Sequence, residues 1–252
     1  MWIRRDLKER AKNVLRGNYW KAFLISLVIA VATGGSGGGS GISSSNSFNN
    51  NSANWDISNG SLIAIVLLIL VAVFVVLLIA AAIRIFLGYP LEVGGRKYFV
   101  QSAQYIDSRG CFRFAFDGQN YRGIVRSMLL KGIQNFLWYL LFIIPGIIKY
   151  YSYRMVPYIL ADNPNIGASK AIQLSNDMTN GHKFSMFVLD LSFIGWYLLG
   201  LLAFGVGMLF VMPYQFATEA ELYLVLRQNA LDSNMCSSED LMLYAPQQEG
   251  IR

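Results

Sequence analysis

Charge is scarce in this sequence. Asp, Glu, Lys and Arg make up 14% of its 252 residues, against roughly a quarter in an ordinary soluble domain. From Leu62 to Ile83 there are 22 residues without one polar side chain. At about 1.5 Å per residue a helix of that length crosses the roughly 30 Å hydrocarbon core of a bilayer. A helix apolar on every side is not a surface helix of a soluble domain, so the composition reads as an integral membrane protein. Histidine and cysteine are almost missing. The lone His182 cannot build a zinc site, and the two cysteines, Cys111 and Cys236, have no metal-ligand spacing. Both fall in stretches placed inside the cell, which argues against a disulfide framework. No metal or cofactor is expected. The chain also lacks G-x-S-x-G, H-E-x-x-H and a Gly-rich phosphate loop. Ser175 and Ser192 have no histidine in a usable context. The expectation is a protein that is not an enzyme. The net charge of +6 comes without a nucleic-acid-binding motif, and cations of membrane proteins gather on the cytoplasmic side.

Lys and Arg are absent from Gly34 to Gly60, where Gly, Ser and Asn dominate. Such a segment cannot bury enough apolar surface to fold. Residues 34–60 are expected to be a flexible extracytoplasmic loop.

What is present is mostly helical pattern. In residues 1–17, Leu7, Ala11, Val14 and Leu15 share one face, with Arg4, Lys8, Lys12 and Arg16 around it. That is an amphipathic helix on the inner membrane surface, its cations touching lipid. Gly17 ends it, Tyr19 and Trp20 take belt positions, and a short apolar helix runs to Thr33. Arg4-Arg5 and Ala30-Val31-Ala32 are faintly like an export signal with its cleavage site. Asp6, Glu9 and the helical pattern ahead of the oily run favour an uncleaved first membrane helix. The second membrane helix spans about 61–88, with Arg84 snorkelling to inner headgroups. A basic cytoplasmic stretch follows, in which Arg96 and Lys97 are further lipid contacts and 96–106 can be helical.

Gly123 to Ala161 is 39 residues, too long for one straight span. Pro145-Gly146 divides it, as the turn of a helical hairpin; a kinked helix plus a surface helix is the alternative. Asn163 reads as the cap of a short helix from Pro164 to Met178. Met186 to Ala217 is 32 residues with one charge, Asp190, and divides near Gly205-Val206-Gly207. The last helix reaches about Gln228, and 229–252 reads as a mobile cytoplasmic tail. The fold class is therefore all-α: one polytopic membrane domain over 1–252, with about six membrane helices, both termini cytoplasmic, and amphipathic surface helices. Four or five spans is the alternative count. "LRGNYWKAF", "AFDGQNYRG" and "MTNGHKFSMF" each precede an oily hairpin, compatible with three hairpins on one plan.

"LKERAKNVLRGNYWKAFLISL", "GGRKYFV", "PGIIKYYSYRMVPYILADNP", "ASKAIQLSNDMTNGHKFSMFVLDLSFIGW" and "PYQFATEAELY" together resemble the DUF975 family of uncharacterised bacterial integral membrane proteins. The resemblance keeps the order of the blocks over nearly the whole chain. It implies a multi-pass protein of the bacterial cell membrane, and no chemistry.

Chemistry, if any, rests on polar groups in oily segments, because a charge at mid-bilayer costs about 2.5–3.5 kcal/mol on insertion scales. Lys149 and Arg154 follow the Pro-Gly by three and eight residues. Arg154 and Asp190 have compatible depths and can pair. Glu219 and Glu221 lie about 200° apart on a helix, so they cannot share a face. Tyr150, Tyr153 and, less closely, Tyr158 recur near helical spacing. The stretch reads as a polar seam that holds helices together, or as the wall of a ligand groove. Two functions follow. One is a non-enzymatic component interacting with anionic lipids or other membrane proteins, and not with nucleic acid. The alternative is a transporter or exporter component with its substrate site near Arg154 and Asp190.

Overall fold

The structure, a computed structural model, describes residues 2–33, 59–202 and 207–243. Most of the expected 34–60 loop, the Gly205-Val206 turn and the end of the tail lie outside the described residues. The described residues form helices joined by turns and short irregular segments, with no strand among them.

The first helix, α1, runs Arg4–Ala32 with one non-helical residue, Asn18 (φ −135°, ψ 27°). Gly17 and Asn18 are both weak helix formers, and the chain kinks there. The apolar face before the kink is as expected: Leu7, Ala11 and Leu15 are buried. Its partner is not. The N-terminal half packs against the last helix of the bundle, Gly207–Asp232, where the expectation was a lipid surface. Lys8 is pulled inward, with Nζ donating to the Ser192 hydroxyl at 2.7 Å and lying 4.3 Å from the centre of the Phe193 ring.

α2 covers Asn59–Ile83. It passes through a π turn, Arg84–Gly88, into α3, Tyr89–Ala103. From Val66 to Ile83 every α2 side chain is exposed. α3 is the opposite case. It lies against α1, where a Cβ on Gly95 would stand 2.4 Å from a side-chain carbon of Ile29. Only glycine allows that approach. α4 (Cys111–Phe116) and α5 (Gly118–Leu141) follow.

α5 and α6 (Ile143–Ser152) form a hairpin, and its turn is not at Pro145-Gly146. The extended residue is Phe142 (φ −157°, ψ 145°). Pro145 is the third residue of α6, where its missing N–H is one that no helix would have satisfied. Gly146 has another use: a Cβ there would stand 2.5 Å from the Tyr139 ring, so glycine lets the two arms close. α6 has 10 residues, about 15 Å, half the hydrocarbon thickness. α7, Val156–Asp162, continues after a break.

α8 is Ala168–Met178, starting after Gly167 (φ 92°), and not at Pro164. Asn163 does not cap it. Its side-chain oxygen accepts from the Asn165 N–H at 2.9 Å, closing a local turn, and its amide donates to the Asp240 carbonyl at 2.9 Å. α9 (Lys183–Leu202) and α10 (Gly207–Asp232) end the bundle. Among the described residues three helical runs are long and apolar enough to cross a membrane: Arg4–Ala32, the run from Val66, and Lys183–Leu202. Several of the largest fully buried side chains, Phe99, Met155, Tyr158 and Tyr223, gather where α3, α7, α8 and α10 meet.

Candidate functional site

The site begins with a break. Between α6 and α7, Tyr153, Arg154 and Met155 leave the helix. A broken helix frees backbone groups, and away from water these need partners. α8 supplies them. The Ser175 hydroxyl donates to the Ser152 carbonyl at 2.7 Å and accepts from the Met155 N–H at 3.2 Å. Thr179 sits beside it, its hydroxyl 3.4 Å from the same carbonyl. The break is thereby a built feature, and it aims Arg154 into the bundle.

Arg154 reaches two carboxylates on two helices. Nη1 and Nη2 grip Asp190 of α9 at 2.7 and 2.8 Å, and Nη2 also donates to Glu219 of α10 at 2.7 Å. Fork-on-fork pairing of this kind is the strongest neutralisation a carboxylate receives from a side chain. Tyr151 donates to Asp190 at 2.9 Å, and Tyr158 to Glu219 at 3.0 Å. Arg96 of α3 donates to the second Glu219 oxygen at 3.0 Å and lies 2.9 Å from the Tyr158 hydroxyl. Gln215 donates to Glu219 at 3.1 Å, and Tyr197 donates to Gln215 in turn. Two guanidiniums and two carboxylates make a neutral lattice joining α3, α6–α7, α9 and α10. The side chains of Arg96, Arg154 and Glu219 are 11%, 8% and 6% exposed. A second buried pair lies nearby, where Asp162 accepts from Tyr223 at 2.6 Å and Arg227 at 2.9 Å.

The residues singled out in the sequence divide accordingly. Arg154, Asp190 and Glu219 come together. Glu221, on the opposite side of α10, lies in a separate recess with Arg10. Lys149 stands 5.1 Å from the Trp138 ring centre and 5.8 Å from that of Tyr153, held in an aromatic slot away from the lattice. Tyr153 is buried and Tyr150 is half exposed. The hydroxyls the lattice uses belong to Tyr151 and Tyr158, because the break resets the helical phase that related Tyr150 to Tyr153. Arg96 and Lys97 are corrections. Neither faces lipid as expected: Arg96 is in the lattice, and Lys97 donates to the Ala161 carbonyl at 2.8 Å over the Phe114 ring. Arg4 and Arg16 stay exposed, and Lys12 lies over the Tyr214 ring at 5.8 Å.

Two hollows flank this frame. A groove of about 430 Å³ lies between α1, α9 and α10, with Lys12 and Arg16 among apolar and aromatic walls that include Leu15, Trp196 and Phe210. A more enclosed cavity of about 380 Å³ opens beside Arg154 and carries Glu92, Lys131 and Asn135 on its walls. Those three were not singled out in the sequence. Lys131 left a signal, as a cation inside the oily run Met128 to Leu141. Glu92 and Asn135 left none. Among the described residues no three His, Cys, Asp or Glu side chains gather as a metal site.

No curated protein and no solved structure matches this chain. A family model described as a protein of unknown function, DUF975, matches residues 62–230, from α2 through nearly all of α10. That stretch carries the π turn, the break and every member of the ionic lattice, and the chain belongs to the DUF975 family.

Proposed function

We propose that this chain is a non-enzymatic, multi-pass protein of the bacterial cell membrane that binds anionic lipid on its cytoplasmic side. The observation that carries the reading is the groove between α1, α9 and α10. Its walls are apolar and aromatic, as an acyl chain requires, and Lys12 and Arg16 stand along one side. Each Lys or Arg near an anionic leaflet contributes about 1 kcal/mol, so the pair gives roughly a thirtyfold preference for anionic over neutral lipid. The reading includes a six-span arrangement with both termini inside. In it α6 and α7 together make one broken crossing, and α9–α10 make a hairpin.

The test is native mass spectrometry of protein released in mild detergent from mixed phosphatidylglycerol and phosphatidylcholine vesicles. Wild type should retain phosphatidylglycerol, and Lys12→Ala/Arg16→Ala should lose most of it. Equal retention of both lipids, or an unchanged double variant, refutes the reading.

One observation supports transport as the second reading: the chain breaks its helix at Tyr153–Met155 beside an arginine, and discontinuous helices are a common element of substrate sites in transporters. A metabolite carried by wild type and lost in Arg154→Ala supports it. Proteoliposomes without flux of any tested ion or solute count against it.

A further inference from the structure

The cavity beside Arg154 is not needed for the lipid reading, and its chemistry differs from that of the groove. Four cations line it: Arg84 from the π turn, Arg96 from α3, Lys131 from α5 and Arg154 from the break. Glu92 and Glu219 are the facing carboxylates. Asp190 neutralises Arg154 from outside the cavity. Counted together, four cations meet three carboxylates, and one positive charge is left over. The lattice has used Arg154 and Glu219 up. Lys131 has not been used: among the described residues it makes no hydrogen bond and no ion pair, although Glu92 shares its wall. Arg96 also has a buried Nε with no partner. Buried donors in native proteins are nearly always satisfied, and an unpaired cation in a part-buried site calls for an anion.

We infer that this cavity binds a singly charged phosphate group, with Lys131 as its principal contact and Arg84 at the mouth. The surplus of one charge matches a phosphodiester or dihydrogen phosphate. The donors number more than a carboxylate's two oxygens can accept. Lys131 brings three N–H groups, and Arg84, Tyr89 and Tyr150 stand on the same walls. Arg84 is anchored by donating to the Thr33 carbonyl at the end of α1, which fixes one guanidinium edge and leaves others for a ligand. The phosphate has two sources: a lipid headgroup entering from the membrane, or a free solute.

Protein in dodecyl maltoside micelles, which carry no phosphate, is titrated with inorganic phosphate while its melting temperature is followed. A parallel set of micelles is doped with phosphatidylglycerol, with Lys12→Ala/Arg16→Ala as background so that the groove does not contribute. One of the two phosphates should raise the melting temperature. Response to inorganic phosphate identifies a solute site, and response to phosphatidylglycerol alone identifies a headgroup site. Lys131→Gln should weaken that response at least tenfold, and Lys131→Arg should keep it within about threefold. Without either phosphate, Lys131→Gln should melt no lower than wild type, because it removes an unpaired cation. The inference fails if neither phosphate acts, if acetate acts as well as phosphate, or if Lys131→Gln responds like wild type. It also fails if that variant is destabilised without ligand, which would make Lys131 a brace. None of these outcomes depends on whether the groove binds lipid.

Discussion

Replacing Arg154 by methionine tests the reading of the ionic lattice most directly. Methionine keeps much of the side-chain volume and removes three charge-assisted hydrogen bonds, two to Asp190 and one to Glu219. Breaking a buried ion pair by deleting one partner costs about 3–5 kcal/mol, because the other charge is stranded. The two carboxylates are not stranded equally. Glu219 keeps Arg96 and Tyr158. Asp190 keeps only Tyr151, but its side chain is 28% exposed and can take up water. These recoveries put the expected loss near the lower bound, about 3 kcal/mol. For a chain of this size that is roughly 6–12 °C in melting temperature, measurable by tryptophan fluorescence in detergent. Adding Asp190→Asn to Arg154→Met removes the stranded charge. The double variant should therefore melt well above the sum of the two single losses, with a coupling of more than about 1 kcal/mol. A drop below 2 °C for Arg154→Met, or strict additivity, would show that the lattice does not hold the bundle.

Ser175→Ala leaves the Met155 N–H and the Ser152 carbonyl without their main partner, and should cost about 1–3 kcal/mol by the same assay; Ser175→Thr, which keeps the hydroxyl, should recover part of it. Gly146→Ala drives a methyl into the Tyr139 ring and should destabilise by about 1–3 kcal/mol, relieved in Gly146→Ala/Tyr139→Leu. Burial pushes the Cys111 thiol up to about 11, with the nearby Lys97 opposing it. The folded state thus favours the neutral thiol, a contribution complete below the ordinary thiol range and lost as pH rises toward 11. Alkylation of Cys111 by iodoacetamide should be slow at pH 8 and rise steeply above pH 10. Labelling at pH 8 as fast as that of the unfolded chain contradicts the burial.

Much of the architecture was written in composition and period. The apolar run of α2, the face of Leu7, Ala11 and Leu15, the kink beside Gly17 and the separation of Glu219 from Glu221 all follow from local rules. Arg154 and Asp190 had compatible depths along their helices, but the sequence left open whether they pair, and the structure shows that they do. What was not legible depended on contacts distant in sequence. Pro145-Gly146 has the letters of a turn, yet the proline fits a helix start equally well, and only Tyr139 shows what the glycine is for. Arg96 and Lys97 read as surface cations because nothing near them announces Glu219 or the Ala161 carbonyl. The break at Arg154 has no glycine and owes its shape to Ser175, two helices away in sequence. Lys131 was visible as an odd charge, but its place among three arginines was not.

The bareness of α2 has a consequence for how freely this chain can change. From Val66 to Ile83 its side chains are all exposed, so hydropathy and length are the only demands on that stretch. Shuffling its leucines, valines and isoleucines should leave folding untouched, while a single methyl at Gly95, a few turns further along the same continuous helix, would collide with Ile29. One unbroken rod thus holds two regimes, one interchangeable with any greasy span and one fitted to a single neighbour, and the π turn at Arg84–Gly88 marks where the first gives way to the second.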